Sequence, residues 1–123
     1  MRHYLSTNKK YGLLVFPLLM IAFLVACYSH SRIFAVVYDE VTKKPIEGAK
    51  VSFFLVEGRT DIVFTNESGF AVTGWSGGPM NIRITVEKTD YVTKEIIIDI
   101  REFTMDYNGD SYTNIDIYLS PIE

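Results

Sequence analysis

The chain is apolar in two different ways. From Leu13 to Val25 every residue is apolar, with Pro17 inside the run. From Ile33 onward apolar residues alternate with polar ones in short runs, separated by Gly, Pro, Asn and Asp. Period two sends successive side chains to opposite faces of a strand. Seven strands are expected: A over 33–38, B over 49–56, C over 60–65, D over 70–74, E over 80–88, F over 91–100 and G over 112–119. Strand E alternates most cleanly, with Met80, Ile82, Ile84 and Val86 on one side and Asn81, Arg83, Thr85 and Glu87 on the other. Strand F points Val92, Ile96, Ile98 and Ile100 inward, and Lys94 in that register marks a bulge or a sheet edge. Strand G points Ile115, Ile117 and Leu119 inward, and Arg101–Met105 has room for one turn of helix. Seven short strands over residues 33–123 predict an all-β domain, a seven-stranded Greek-key β-sandwich. Its buried positions include Ile82, Ile84 and Ile98.

Charge divides the chain at the same place as the pattern. Of 12 Lys and Arg, only Arg2, Lys9 and Lys10 precede Cys27, and all 15 Asp and Glu follow it. The domain is therefore acidic and makes nucleic acid a poor partner. A single Cys excludes an internal disulfide and a Cys-rich zinc site. A basic start followed by an apolar core is the layout of a secretory signal. The 13–25 run would span about 20 Å as a helix, short of a ~30 Å hydrocarbon core. The uncharged stretch from Tyr11 to His30 keeps an uncut signal anchor open as an alternative.

At the end of that apolar run, Leu24-Val25-Ala26-Cys27 resembles the bacterial lipobox. The resemblance implies a signal peptide over residues 1–26, cleavage before Cys27, and acylation of Cys27, whose sulfur is the nucleophile that takes the lipid. Several acyl chains at ~0.8 kcal/mol per buried methylene would hold the protein on the membrane. Tyr28 stands where an Asp would retain such a protein in the inner membrane. The implied location is the bacterial cell envelope, the periplasmic leaflet of the outer membrane if the cell has two. Residues 27–32 then form the lipidated Cys and a short tether.

Within the domain, strand A, Asp39 through Thr42, and then Lys44-Pro45-Ile46-Glu47-Gly48-Ala49-Lys50-Val51 resemble the carboxypeptidase regulatory-like domain, whose fold is similar to transthyretin. Thr65-Asn66-Glu67-Ser68-Gly69-Phe70 resembles its second motif, and Asp90-Tyr91 stands where the family has a Gly-Tyr pair. Pro45 and Gly48 shape the start of strand B, Ala49 permits close sheet contact, and Gly69 turns C into D. Such domains are mostly noncatalytic companions of enzymes, surface proteins and transporters.

Candidate chemistry is sparse. With the leader removed, His30 is the only His, so no Ser-His-Asp, Cys-His or multi-His arrangement can be assembled. No cofactor is expected. Asp106, Asn108 and Asp110 resemble the start of a calcium loop, but Ser111 and Ile117 stand where that pattern needs Gly and Glu. A polar F–G turn with no metal is the simpler reading. Trp75, in a Gly-rich loop, and Tyr107 are the candidate contacts for a carbohydrate or a protein partner. Two functions of different class follow. One is a lipid-anchored, noncatalytic module that binds an envelope protein, and the other a carbohydrate-binding module using Trp75 and nearby tyrosines; an enzyme is the remote third.

Overall fold

The computed structural model describes residues 29–55 and 58–123. Cys27 and the leader, Tyr28, Val56 and Glu57 lie outside the described residues, and with them the signal peptide and the lipidation site. The described chain forms β1 (His30–Asp39), β2 (Lys50–Phe54), β3 (Thr60–Phe64), β4 (Phe70–Ser76), β5 (Ile82–Glu87), β6 (Lys94–Ile98), β7 (Thr104–Met105) and β8 (Ser111–Leu119). One sheet has the order β4-β1-β8-β7 and the other β3-β2-β5-β6. All pairings are antiparallel except β1 with β8, which run parallel from Ser31↔Ser111 to Asp39↔Leu119. The described residues form an all-β sandwich of eight strands rather than seven. The additional strand is β7, whose two residues are too few for alternation to register.

Alternation produces the core directly. Ile33, Ala35 and Val37 of β1, with Ile117 and Leu119 of β8 beside them in the same sheet, face Val51 and Phe53 of β2 and Ile82, Ile84 and Val86 of β5, all buried. Ile82, Ile84 and Ile98 are buried as the pattern predicts. Burying one such side chain contributes roughly 1.5–3 kcal/mol.

The two sequence motifs are fastened to each other. The Thr65 hydroxyl donates to the Ile46 carbonyl at 2.6 Å and accepts the Ala49 N–H at 2.9 Å. The Asn66 side chain accepts the N–H groups of Ser68 and Phe70, closing the turn into β4. Gly69 sits at φ 75°, and a Cβ there would stand 2.5 Å from the Val37 carbonyl oxygen. Only glycine fits that site. Asp90, in the place of a family glycine, adopts φ 73°. Asp is one of the few side chains that accept the left-handed conformation at modest cost, so the turn survives the missing Gly.

Several boundaries differ from the sequence expectation for physical reasons. β1 starts at His30, so residues 30–32 belong to the sheet and not to a tether. The signal was hidden by polarity: Ser31 is buried, donates its hydroxyl to the Gly77 carbonyl at 2.8 Å, and lies 2.6 Å from the Ser111 hydroxyl. β4 runs on to Ser76 because β1 supplies partners as far as His30↔Ser76. β6 is shorter than strand F and lies at a sheet edge, and Val92 and Ile100, expected inward, are exposed. The Val92 N–H is held by the Ser120 carbonyl, away from β5. Ile100 opens a 3-10 turn, Ile100–Glu102, capped by Asp99.

Candidate functional site

Trp75 does not line a loop. It is an inward residue of β4, 7% exposed, with its indole N–H donating to the Gly78 carbonyl at 2.9 Å. Phe103 meets its ring edge-on at 5.9 Å between centroids. A ring enclosed in this way has no free face for a sugar, which corrects the carbohydrate-platform assignment. Tyr107, by contrast, is 99% exposed at the tip of the turn between β7 and β8.

The suspected calcium loop is a hydrogen-bonded turn. Asp106 accepts the N–H groups of Asn108 and Asp110 through Oδ1, and Asp110 accepts the His30 N–H. Asn108 contributes only its backbone to these bonds. One oxygen of each carboxylate, Asp106 Oδ1 and Asp110 Oδ1, is taken by backbone N–H groups of the chain itself. Among the described residues no group of three His, Cys, Asp or Glu lies where it could hold a metal ion.

A second candidate surface, a continuous aromatic and aliphatic row across β1, β4 and β8, was not singled out as a row from the sequence. The outward residues of β1 are Arg32, Phe34, Val36 and Tyr38. Phe34 pairs across to Val72, and Val36 to Phe70 on β4; Tyr38 pairs to Tyr118 on β8. Phe34 and Phe70 approach at 6.2 Å between ring centroids, and Tyr38 stacks on Tyr118 at 5.3 Å. Phe34, Val36 and Val72 are half-buried only by their neighbours in the same sheet, and Phe70 and Tyr118 are exposed. Among the described residues there is no third layer over this face. Cations frame it: Arg32 toward one end, and at the other Lys43, 4.9 Å from the Tyr118 ring, and Lys94, which donates to the Tyr118 carbonyl. The available signal was the unbroken apolar run Ile33-Phe34-Ala35-Val36-Val37-Tyr38, which leaves a strand apolar on both sides.

The perturbed ionisable groups of the domain serve the fold. Asp39 accepts the backbone N–H of Thr42 and of Val41 and the Tyr91 hydroxyl at 2.7 Å. The Thr42 N–H, followed by the Tyr91 hydroxyl, holds the Asp39 carboxyl below its ordinary range. The same bond to Asp39 raises the Tyr91 phenol. Asp61 is lowered chiefly by the Thr73 hydroxyl, which donates to it at 2.6 Å, and Asp99 by its contact with Arg101. Each contact is a turn or cross-sheet clasp.

No protein-family model matches the chain, and no curated protein matches it. Solved structures do match in fold. The chain is similar to catechol 1,2-dioxygenase from Acinetobacter sp. ADP1, with a TM-score of 0.59 at 10% identity, over 76% of this chain and 53% of that one. It is similar to 3-chlorocatechol 1,2-dioxygenase from Rhodococcus opacus 1CP, with a TM-score of 0.61 at 9% identity, over 76% of this chain and 60% of that one. The TIE protein of Bacillus anthracis is also similar, with a TM-score of 0.58 at 11% identity, over 76% of this chain and 18% of that one. The chain thus spans about half to three fifths of the dioxygenases and a small part of the third protein. At these identities the likeness is one of fold: the same sandwich occurs inside enzymes and inside a much longer chain.

Proposed function

We propose that this chain is a bacterial envelope lipoprotein, acylated at Cys27, whose carboxypeptidase regulatory-like sandwich performs no chemistry and binds a protein partner through the outer face of β1 and β4. The observation that carries the reading is the apolar row Phe34, Val36, Val72 and Phe70 on the side of the sheet turned away from the core. Contiguous exposed apolar surface of this kind marks interaction sites on soluble domains. Arg32, Lys43 and Lys94 around it favour a partner that carries carboxylates at the rim of an apolar patch. The buried polar groups support a noncatalytic role, because Ser31, Thr65 and Thr73 are each committed to holding strands or turns together. The lipobox-like segment supports membrane attachment.

Two measurements test it. Mass spectrometry of the mature protein should find acyl mass on an N-terminal Cys27 peptide; an intact leader would replace the lipoprotein with a signal-anchored protein. A photo-crosslinking residue at Val72 should yield one envelope protein in living cells. Val36→Asp should abolish that product while Thr85→Asp, on the opposite sheet, leaves it. Equal labelling with and without Val36→Asp would refute this face as the contact.

A further inference from the structure

We infer that the Cys27 end of the sandwich rests directly on the bilayer, with Tyr107, Met105 and Ile100 in the lipid interface. The inference rests on acylation of Cys27 proposed above. The expected tether is almost absent. The Ser29 carbonyl already accepts the Gly77 N–H at 2.8 Å, so Tyr28 alone separates Cys27 from the first fastened residue. Two residues of extended chain reach at most about 7 Å. The start of β1 is therefore held within about that distance of the lipid attachment, and this end of the sandwich is the end nearest the bilayer.

What surrounds it is apolar at its tips. Met105 pairs with Ser111, and Ser111 with Ser31, so Met105 lies in the first row of the β1–β8 ladder. The turn bearing Tyr107 is pinned to β1 by the His30 N–H bonded to Asp110 at 3.0 Å. Ile100 is held at the same end by its N–H, which donates to the Asn81 side chain beside the start of β5. Ile100, Met105 and Tyr107 are 47%, 61% and 99% exposed. Carboxylates at this end are engaged by the chain itself: Asp99 by Arg101, Glu102 by the Asp99 N–H, and Asp106 by Asn108 and Asp110. Apolar tips above a hydrogen-bonded collar suit the headgroup layer, where a tyrosine keeps its ring in the apolar zone and its hydroxyl wet. The geometry leaves the partner face roughly along the side of the domain and its far end, with Val41, directed away from the membrane.

The test uses the full chain, produced in bacteria and reconstituted into vesicles of phosphatidylethanolamine and phosphatidylglycerol with brominated acyl chains. Tyr107→Trp and Val41→Trp report the two ends, and the unsubstituted protein supplies the constant emission of Trp75. The Tyr107→Trp signal should be strongly quenched and blue-shifted, and the Val41→Trp signal unchanged. Equal quenching at both ends, or none at Tyr107→Trp in an acylated protein, overturns the inference alone. Loss of quenching together with a cross-link from position 107 to a protein in cells replaces lipid by a protein at this end. Mass spectrometry of the same sample showing no acyl group on Cys27 removes the parent reading, and the seating with it.

Discussion

The two sheets share one core and differ in where their outer faces carry apolar side chains, on the edge strands of one and on the middle strand β1 of the other. In the β3-β2-β5-β6 sheet the outward residues of the two middle strands are Lys50, Ser52 and Phe54 of β2 and Arg83, Thr85 and Glu87 of β5, while Ile62 and Phe64 of β3 and Ile97 of β6 stand exposed on the edge strands. On β1 they include Phe34, Val36 and Tyr38, beside Phe70 and Val72 of β4. Ile33, Ala35 and Val37 of β1 and Ile82, Ile84 and Val86 of β5 are buried alike, so burial in the core does not require the second arrangement. The contrast teaches that the inward half of the alternation encodes the fold. The outward half is free to vary, and in β1 it carries apolar side chains that the fold itself does not use.

Four expectations sharpen or break this comparison. The largest separates inside from outside on a single strand. Phe53 is fully buried, whereas its neighbour Phe54 faces outward with the Arg83 guanidinium 4.3 Å from its ring centroid. Phe53→Ala should lower unfolding free energy by about 3–5 kcal/mol, and Phe54→Ala by about 1 kcal/mol, measured by denaturant melts. Similar losses for the two would mean that the outer face contributes to stability as the core does. Gly69→Ala comes next, at about 3 kcal/mol, because the added Cβ meets the Val37 carbonyl in a left-handed conformation. If that variant melts like the parent, the β3–β4 turn is not held as described.

The third expectation concerns acid. Asp39, Asp61 and Asp99 have folded-state pKa values below the ordinary carboxylate value, so the unfolded chain binds protons first. Their stabilisation is complete above the unfolded pKa of about 4 and is lost as pH falls through the lower folded values. Thermal midpoints followed downward from about pH 6 should drop only below about pH 4. Asp39→Asn should make that drop shallower, as should Tyr91→Phe, which removes the hydroxyl bonded to Asp39. The Tyr91 phenol, raised above 10.0, contributes stability below the unfolded phenol value that is lost as pH rises through the folded one. The smallest effect is a gain. Asp90→Gly should raise stability by up to about 1 kcal/mol, since glycine takes a positive φ without the penalty that Asp bears.

Much of the fold was legible because alternation is a local signal. The central part of strand E, with Ile82, Ile84 and Val86 inward, appears in β5, and Ile117 and Leu119 of strand G are buried in β8. The glycine and threonine of the second motif were legible as a turn, although the two bonds from the Thr65 hydroxyl were not. What escaped depends on pairing between distant segments. Trp75 follows two small or polar residues and precedes Ser-Gly-Gly-Pro, so locally it reads as loop. Only the antiparallel partner at Ser31 makes it strand. Ser31 and Ser111 read as solvent-facing until they satisfy each other in the core. The apolar outer face of β1 escaped for a similar reason. A run that is apolar on both sides does not say which side is the core, and only the second sheet decides.

The β1–β8 pairing also has a mechanical consequence. β1 enters the fold from the Cys27 end, and β8 leaves it at the other end, with the two strands parallel over nine registered positions. A pull between the start of β1 and the end of β8 draws these strands past each other lengthwise. Their ladder is then loaded in shear, with its bonds sharing the force, rather than peeled open one bond at a time. A domain standing between a membrane and another structure would therefore resist tension along its own long axis far better than it resists a sideways tug on edge strand β4.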